Sequence, residues 1–241
     1  MMDGLFKNVT EEEKGAAIED IITHATPRQD FFVLLMLSVS MAAFGVLLNS
    51  TVILIGSMLI APLLYPVLSL ALGFIVADEK LIARSTYTLL KSVGYSLAAG
   101  VVIGFLFSTR VDGALTIVSE LGTPASLMYT VVAAIAGFAA AFAMVRPKLN
   151  DTLPGVAISV SLVPPLATAG IALSLLNWAA FSNALLLFLA NVIGIVFSAM
   201  IVFALLRLSV KRKLAAEAVR EEEQAVAVEK MKASQPDTSG A

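Results

Sequence analysis

Long apolar stretches dominate the chain and alternate with short charged segments. No Asp, Glu, Lys or Arg occurs between Phe31 and Ala77, nor between Leu153 and Leu206. A helix needs about 20 apolar residues to cross a bilayer, so this pattern predicts several membrane-spanning helices. Six spans fit, with the approximate bounds Phe31–Leu48, Thr51–Ala77, Ser92–Thr109, Ser126–Val145, Leu153–Leu176 and Asn183–Leu206.

The second and fifth predicted spans each contain two prolines. Pro62 and Pro66 lie in the second span, and Pro164 and Pro165 lie in the fifth. Proline removes a backbone donor and clashes with the preceding turn, so both helices are expected to break at these residues. Broken backbone at membrane depth is tolerated only where it is buried in protein or lines a wet cavity.

The two halves of the chain resemble each other. Leu48-Asn49 opens the second span and Leu149-Asn150 opens the fifth, 101 residues later. Each half holds three spans, and an odd number reverses the insertion direction of the second half. The sequence therefore predicts an all-α polytopic membrane protein with six transmembrane helices in two inverted three-helix repeats, whose second and fifth helices are broken at prolines. Chance similarity between apolar helices that contain proline is the alternative explanation.

Charge sets the predicted orientation. If both termini are cytoplasmic, 15 of the 16 Lys and Arg residues fall on the cytoplasmic side, as the positive-inside rule requires. Thr10 and Glu13 form a capping-box pattern that predicts a helix before the first span. The predicted organisation is a cytoplasmic N-terminal helix in 1–29, a first repeat in 30–109, an extracytoplasmic loop in 110–125, a second repeat in 126–206, and a cytoplasmic C-terminal helix with a disordered tail in 207–241.

Composition narrows the possible functions. The chain is 59% hydrophobic and 14% charged, has a formal net charge of −2, and contains no cysteine. Disulfides and thiolate chemistry are therefore excluded, and no nucleic-acid partner is expected. The sequence has no metal-ligand cluster and no pairing of a catalytic histidine with a buried serine, so neither an enzyme nor a cofactor is expected. The predicted spans also lack the acidic residues of a proton relay.

Helix breaks offer uncharged binding groups. A broken helix exposes carbonyls at one end and amides at the other, and these ends carry partial charges. Two such helices meeting near the membrane midplane would form a site for an ion or polar solute. The alternative for each hydroxyl is a hydrogen bond back to its own helix. The candidate site residues are Ser57, Pro62, Tyr65, Pro66, Ser69, Ser161, Pro164, Pro165, Thr168 and Asn191.

Three segments carry a resemblance to a known family. Ile55–Leu81, Gly155–Ser174 and Ala184–Ile195 resemble the signature segments of the prokaryotic "uncharacterized hydrophobic domain" membrane proteins, also designated domain of unknown function 389. The resemblance covers nearly all of the predicted membrane part. It implies a multi-pass protein of the prokaryotic inner membrane and supplies no activity.

Because the resemblance supplies no activity, the functional hypotheses rest on the physical arguments above. A secondary transporter or solute permease with a midplane site at the two proline segments is the leading hypothesis. An ion channel using the same helices is the second, and a membrane scaffold or sensor that transports nothing is the third. The expected partners are a small solute or ion of unknown identity and the lipid bilayer, and homo-oligomer formation is left open.

Overall fold

The structure of the protein is a computed structural model that describes residues 9–26, 28–108, 127–145, 154–208 and 212–234. The described residues form helices joined by short connections, and those ranges contain no strand. The predicted extracytoplasmic loop, 110–125, and the predicted disordered tail beyond Ser234 lie outside the described residues. The helices are α1 Glu11–His24, α2 Gln29–Leu47, α3 Thr51–Met58, α4 Leu64–Val76, α5 Glu79–Phe107, α6 Leu127–Met144, α7 Pro154–Ser174, α8 Trp178–Leu205 and α9 Arg212–Ser234.

The first helix begins where the sequence predicts. The backbone amide of Glu13 donates to Thr10 Oγ1 over 3.2 Å, and the amide of Thr10 donates to Glu13 Oε2 over 2.8 Å. This reciprocal pair is the predicted capping box, which satisfies two amides that the first turn leaves without intrahelical partners. The predicted N-terminal helix is therefore confirmed at its start.

Asn49 explains the first of the two Leu-Asn pairs. Its φ of 47° lies in the left-handed region, which asparagine tolerates better than most residues. The amide of Ser50 then donates back to the carbonyl of Gly45 over 2.9 Å and closes the end of α2. The pair is thus a helix stop between α2 and α3. The matching pair at 149–150 lies outside the described residues.

The second predicted span is broken, as expected. Helix α3 ends at Met58, α4 begins at Leu64, and residues 59–63 between them are non-helical. Pro62 lies in this break, where it cannot donate a backbone hydrogen bond. Pro66 falls in the first turn of α4, where a missing amide costs no intrahelical bond. The two prolines therefore separate α3 from α4 and start the second helix.

The predicted break in the fifth span is wrong. Helix α7 runs without interruption through Pro164 and Pro165. A proline at position 165 leaves the carbonyl of Ser161 without its amide four residues on. That carbonyl instead accepts a hydrogen bond from the Asn191 side chain of α8 over 2.8 Å. A partner from a neighbouring helix thus replaces the lost backbone bond, and the helix continues.

Aromatic contacts give the relative direction of α2 and α5. The rings of Phe32 and Tyr95 lie 5.0 Å apart, and those of Phe44 and Phe107 lie 5.1 Å apart. Both contacts advance by 12 residues along both helices, so α2 and α5 run parallel. Helix α5 also begins much earlier than its predicted span, at Glu79 rather than Ser92, because the charged segment before the span continues the same helix.

Glycines allow α5 and α7 to approach backbone to backbone. A β-carbon built on Gly100 would lie 2.9 Å from the Cα of Gly170, and one built on Gly104 would lie 3.1 Å from the Cα of Ile171. The order of these contacts shows that α5 and α7 also run parallel. The Gly100-x-x-x-Gly104 pattern is therefore a packing surface within the subunit.

The same device joins α6 to α8. A β-carbon built on Gly137 would lie 2.7 Å from the Cα of Ile195, and one built on Gly194 would lie 3.2 Å from the carbonyl oxygen of Thr130. Since both contacts advance in the same sense along the two helices, α6 and α8 run parallel. Helix α8 turns back from α7 after only three residues, 175–177, so this pair runs opposite to α2, α5 and α7.

Helix α7 lies at the centre of the bundle and packs against α2, α3, α4, α5, α6 and α8. Its side chains from Leu162 to Ala172 are mostly inaccessible to solvent. The other helices carry large apolar side chains on their outer faces. Val52, Phe105 and Met128 are 80%, 74% and 78% exposed, and such a surface needs an apolar environment.

The length and hydropathy of the helices also indicate a membrane environment. Helices α2, α5 and α8 are each long and apolar enough to cross a membrane. Helix α4 and the stretches 128–144 and 161–174 are apolar but shorter, counting only described residues. The protein is therefore an all-helical, membrane-associated protein with three candidate membrane-spanning helices in the described part of the chain.

The two terminal helices pack on each other beside the bundle. Helix α9 contacts α1, and α1 contacts α4. The carboxylate of Glu222 on α9 lies 3.4 Å from the Arg28 guanidinium and accepts a hydrogen bond from Thr26 Oγ1 over 3.3 Å. The Arg84 guanidinium donates to the same threonine. Burial lowers the pKa of Arg84, and the nearby charges of Glu222 and Glu223 oppose this shift.

Candidate functional site: the proline segments

The backbone at the first break is satisfied from outside its own helix. The carbonyl of Ser57, in the last turn of α3, accepts a hydrogen bond from Ser38 Oγ on α2 over 2.7 Å. The amide of Ile60 donates to the same oxygen over 3.2 Å. The Ser57 hydroxyl itself bonds back to the carbonyl of Leu54 over 2.6 Å. The break is therefore held by a neighbouring helix, and both Ser38 and Ser57 are fully buried.

Tyr65 points away from the predicted meeting point of the two proline segments. Its ring stacks on that of His24 at the end of α1, with ring centroids 4.7 Å apart. His24 also contacts Asp20, with 2.9 Å between His24 Nδ1 and the Asp20 carboxylate. The first turn of α4 is thus fastened to the N-terminal helix, and Tyr65 is an anchor rather than a demonstrated member of the site.

Ser69 lies one turn further along α4 and makes a contact between helices. It accepts a hydrogen bond from Ser85 Oγ of α5 over 2.8 Å, and both side chains are buried. This contact fixes α4 against α5. Ser85 belongs to the charged segment before the third predicted span, so sequence reasoning did not include it among the candidates.

The second proline segment brings Asn191 and Ser161 together. Asn191 Nδ2 donates to the Ser161 carbonyl over 2.8 Å, as described above. Pro165 and Thr168 are buried one to two turns further along α7, and Pro164 is half-buried. The structure thus unites Asn191, Ser161 and Pro165 around one carbonyl group.

One oxygen at this place has no hydrogen-bond partner among the described residues. Asn191 is only 2% exposed, yet its Oδ1 atom meets no donor. The amide end is committed to Ser161, so the oxygen end necessarily points elsewhere. Elsewhere in the bundle, the fully buried Ser96 Oγ on α5 also has no hydrogen-bond partner among the described residues. A buried acceptor without a donor costs about 1–3 kcal/mol, so such atoms identify places where a ligand or water would be stabilised.

The polar groups of both proline segments are uncharged. Their hydrogen bonds run between hydroxyls, a carboxamide and backbone carbonyls. The partners that sequence reasoning missed are Ser38, Ser85 and His24. Neither Ser38 nor Ser85 lies near a proline in sequence. Each lies on a different helix, and the packing of the helices brings it to its partner.

Comparison with known proteins assigns the family. The domain of unknown function 389 (DUF389) matches residues 58–197, more than half of the chain. The chain therefore belongs to this family, as its proline segments indicate. It is also similar to the uncharacterized protein MJ0678 of Methanocaldococcus jannaschii, with 31% identity over 173 residues. The alignment covers 71% of this chain and 52% of that protein, so the chain spans about half of its relative's length. No solved structure matches the chain.

Proposed function

We propose that the protein is a membrane transport protein, either a secondary transporter or a solute permease, of the prokaryotic inner membrane. It crosses the bilayer six times with both termini in the cytoplasm. Its solute site lies where the break between α3 and α4 meets the proline-bearing part of α7. The observation that carries the proposal is the contact of the broken pair α3 and α4 with the central helix α7, whose proline-released carbonyl is held by α8.

The helix directions support six crossings. Helices α2, α5 and α7 run one way, while α6 and α8 run the other. The Ser38 to Ser57 and Ser69 to Ser85 contacts make α3 antiparallel to α2 and α4 antiparallel to α5. Alternating directions in chain order are those that six successive crossings require.

The helix contacts support an inverted repeat. Exchanging α2 with α6, the pair α3 and α4 with α7, and α5 with α8 turns most helix contacts into others that exist. For example, α2 packs on α3 as α6 packs on α7, and α4 packs on α8 as α5 packs on α7. Interrupted or proline-bearing helices at matching positions of two such halves are a pointer to a transport site.

Lys91 supports the position of the cytoplasmic boundary. Its Nζ atom lies 4.5 Å from the ring centroid of Phe32 and within 6 Å of the rings of Tyr87 and Tyr95. Tyrosine is enriched at membrane–water interfaces, and Lys and Arg favour the cytoplasmic side. This cluster is consistent with an interface near the first turn of α2.

A scaffold or sensor is the second candidate, and one observation favours it. The hydroxyls at the first break, those of Ser38, Ser57 and Ser69, are buried and bonded within the protein. The contact between α1 and α9 would then serve as the cytoplasmic partner surface. A scaffold needs the proline segments to stay dry, whereas a transporter needs them to be reached by water during its cycle.

Thiol accessibility separates these functions. The chain contains no cysteine, so single cysteines at Ser57, Ser69, Ser161 and Thr168 need no prior substitutions. Glu223→Cys on the exposed face of α9 is the positive control, and Phe105→Cys on the apolar surface is the lipid-facing control. We expect a membrane-impermeant maleimide to modify at least one of the four site cysteines in inverted or right-side-out vesicles.

The labelling result is interpreted together with measurements of solute flux. Purified protein in liposomes is tested with a panel of inorganic ions and small metabolites, and single-channel recording distinguishes discrete channel currents from transporter turnover. If no solute moves and none of the four cysteines reacts while Glu223→Cys does, the transport proposal fails and the scaffold is favoured.

A further inference from the structure

The buried oxygen of Asn191 carries a more specific inference. We infer that Asn191 Oδ1 is a ligand of an alkali cation, sodium or potassium, bound beside the proline-bearing part of α7. The inference rests on the proposed function in placing a solute site at these helices, but binding itself is tested without transport.

The orientation of the carboxamide is the first step. Asn191 Nδ2 donates to the Ser161 carbonyl over 2.8 Å. Reversing the amide would place two oxygens against each other, so the hydrogen bond fixes which atom is the oxygen. Pro165 makes this arrangement necessary, because it has no amide hydrogen for that carbonyl. Oδ1 is therefore held with its lone pairs directed away from α7's own carbonyl.

The chemistry of a suitable ligand follows from what Oδ1 can do. A carboxamide oxygen accepts hydrogen bonds or coordinates hard cations. The segment from Leu153 to Leu206 contains no Lys, Arg or His, so neither α7 nor α8 can supply a cationic donor at this depth. The group that binds Asn191 Oδ1 is therefore expected to come from outside α7 and α8.

The absence of acidic side chains favours a monovalent cation over a divalent one. No Asp or Glu lies in the same segment, so a ligand set here consists of neutral oxygens. Divalent cations are usually held by carboxylates, whereas a neutral set leaves a monovalent cation as the less costly one to dehydrate.

The test is the thermal unfolding of purified protein in detergent, followed by the fluorescence of its single tryptophan, Trp178. Apparent Tm is compared in 100 mM sodium, potassium and choline chloride at equal ionic strength. Choline is too large for a small oxygen site. For a Kd of ~10 mM, we expect sodium or potassium to raise Tm by about 3–5 °C over choline. Equal Tm values in all three salts overturn the inference and leave an ordered water as the partner of Oδ1.

Variants locate the effect. Asn191→Leu removes the oxygen and should abolish the alkali-specific rise, while Asn183→Leu, two turns away on the same helix, should keep it. Equal loss in both variants overturns the assignment to Asn191. Should Asn191→Leu fail to fold, Pro165→Ala serves, because it restores an amide that competes for the Ser161 carbonyl and loosens the carboxamide. A full alkali-specific rise in Pro165→Ala then contradicts the inference.

Binding and transport fail separately. An alkali-specific rise in Tm, together with no solute movement in liposomes and no labelling of the four site cysteines, supports the cation site and overturns the transport proposal. Solute movement without any alkali-specific rise supports transport and overturns the cation site.

Discussion

Asn191 Nδ2 and the carbonyl oxygen of Ser161, 30 residues apart in sequence, are joined by a hydrogen bond of 2.8 Å. This contact supplies the hydrogen bond that the Ser161 carbonyl lacks because Pro165 has no amide hydrogen. It also ties the central helix of the bundle, α7, to α8.

Replacing Asn191 by leucine should destabilise the protein. The substitution keeps the volume but leaves the Ser161 carbonyl without this donor, which costs about 1–3 kcal/mol. Because it also removes the buried Oδ1 atom that has no donor, we expect a net loss of about 1 kcal/mol in the free energy of unfolding. Asn183→Leu is the matched control and should cost less than ~0.5 kcal/mol. The measurement is denaturant-induced unfolding in detergent without alkali cations.

A double-mutant cycle tests the mechanism of that loss. In a Pro165→Ala background the new alanine amide can donate to the Ser161 carbonyl, so Asn191→Leu should cost roughly half as much as in the parent. An equal cost in both backgrounds would show that Asn191 stabilises the protein by some other contact.

Ser38→Ala should loosen the break between α3 and α4. The variant removes the 2.7 Å hydrogen bond to the Ser57 carbonyl, which retains the longer bond from the Ile60 amide. We expect a loss of about 1 kcal/mol and faster thiol labelling of an Ala61→Cys reporter within the break. Ser40→Ala, on a half-buried position of the same helix, should change neither value.

Gly100→Ala should be among the most damaging single-methyl changes in α5. The added carbon would lie 2.9 Å from the Gly170 backbone, which cannot move like a side chain, so we expect a loss of about 1–3 kcal/mol. Gly94→Ala on the same helix meets nothing within 4 Å and should be neutral or stabilising by up to ~1 kcal/mol. Similar Tm values for the two variants would refute close packing of α5 on α7.

Glu222→Gln should release α9 from α1. The carboxylate contacts Arg28 and Thr26, so we expect faster amide hydrogen exchange in α9 with a loss of overall stability below ~1 kcal/mol. Raising the salt concentration to 0.5 M should mimic the variant partially, because it screens the ion pair. Glu221→Gln, whose side chain is exposed, should leave the exchange of α9 unchanged.

Hydropathy and local signals predicted much of the fold. The capping box at Thr10 and the break at Pro62 both depend on residues within a few positions of each other, and the structure contains both. Contiguous apolar length likewise located the helices, although α5 and α8 begin earlier than predicted.

The polar partners could not be predicted because they come from distant helices. Local rules require a break at Pro164 and Pro165, and only the packing of α8 brings Asn191 to the carbonyl that Pro165 abandons. Asn191 was recognisable as a candidate because it is a polar residue in an apolar span. Its pairing with Ser161, and that of Ser38 with Ser57, required the three-dimensional arrangement.

The central position of α7 has a consequence for biosynthesis. Helices α2 to α5 are synthesised before α7, so the glycine face of α5 around Gly100 is complete before the helix that fills it exists. A nascent chain ending near residue 150 therefore presents an open groove shaped for a missing helix. Until α7 emerges from the ribosome, lipid or an insertion factor has to occupy that groove, and α7 must displace this occupant to complete the bundle.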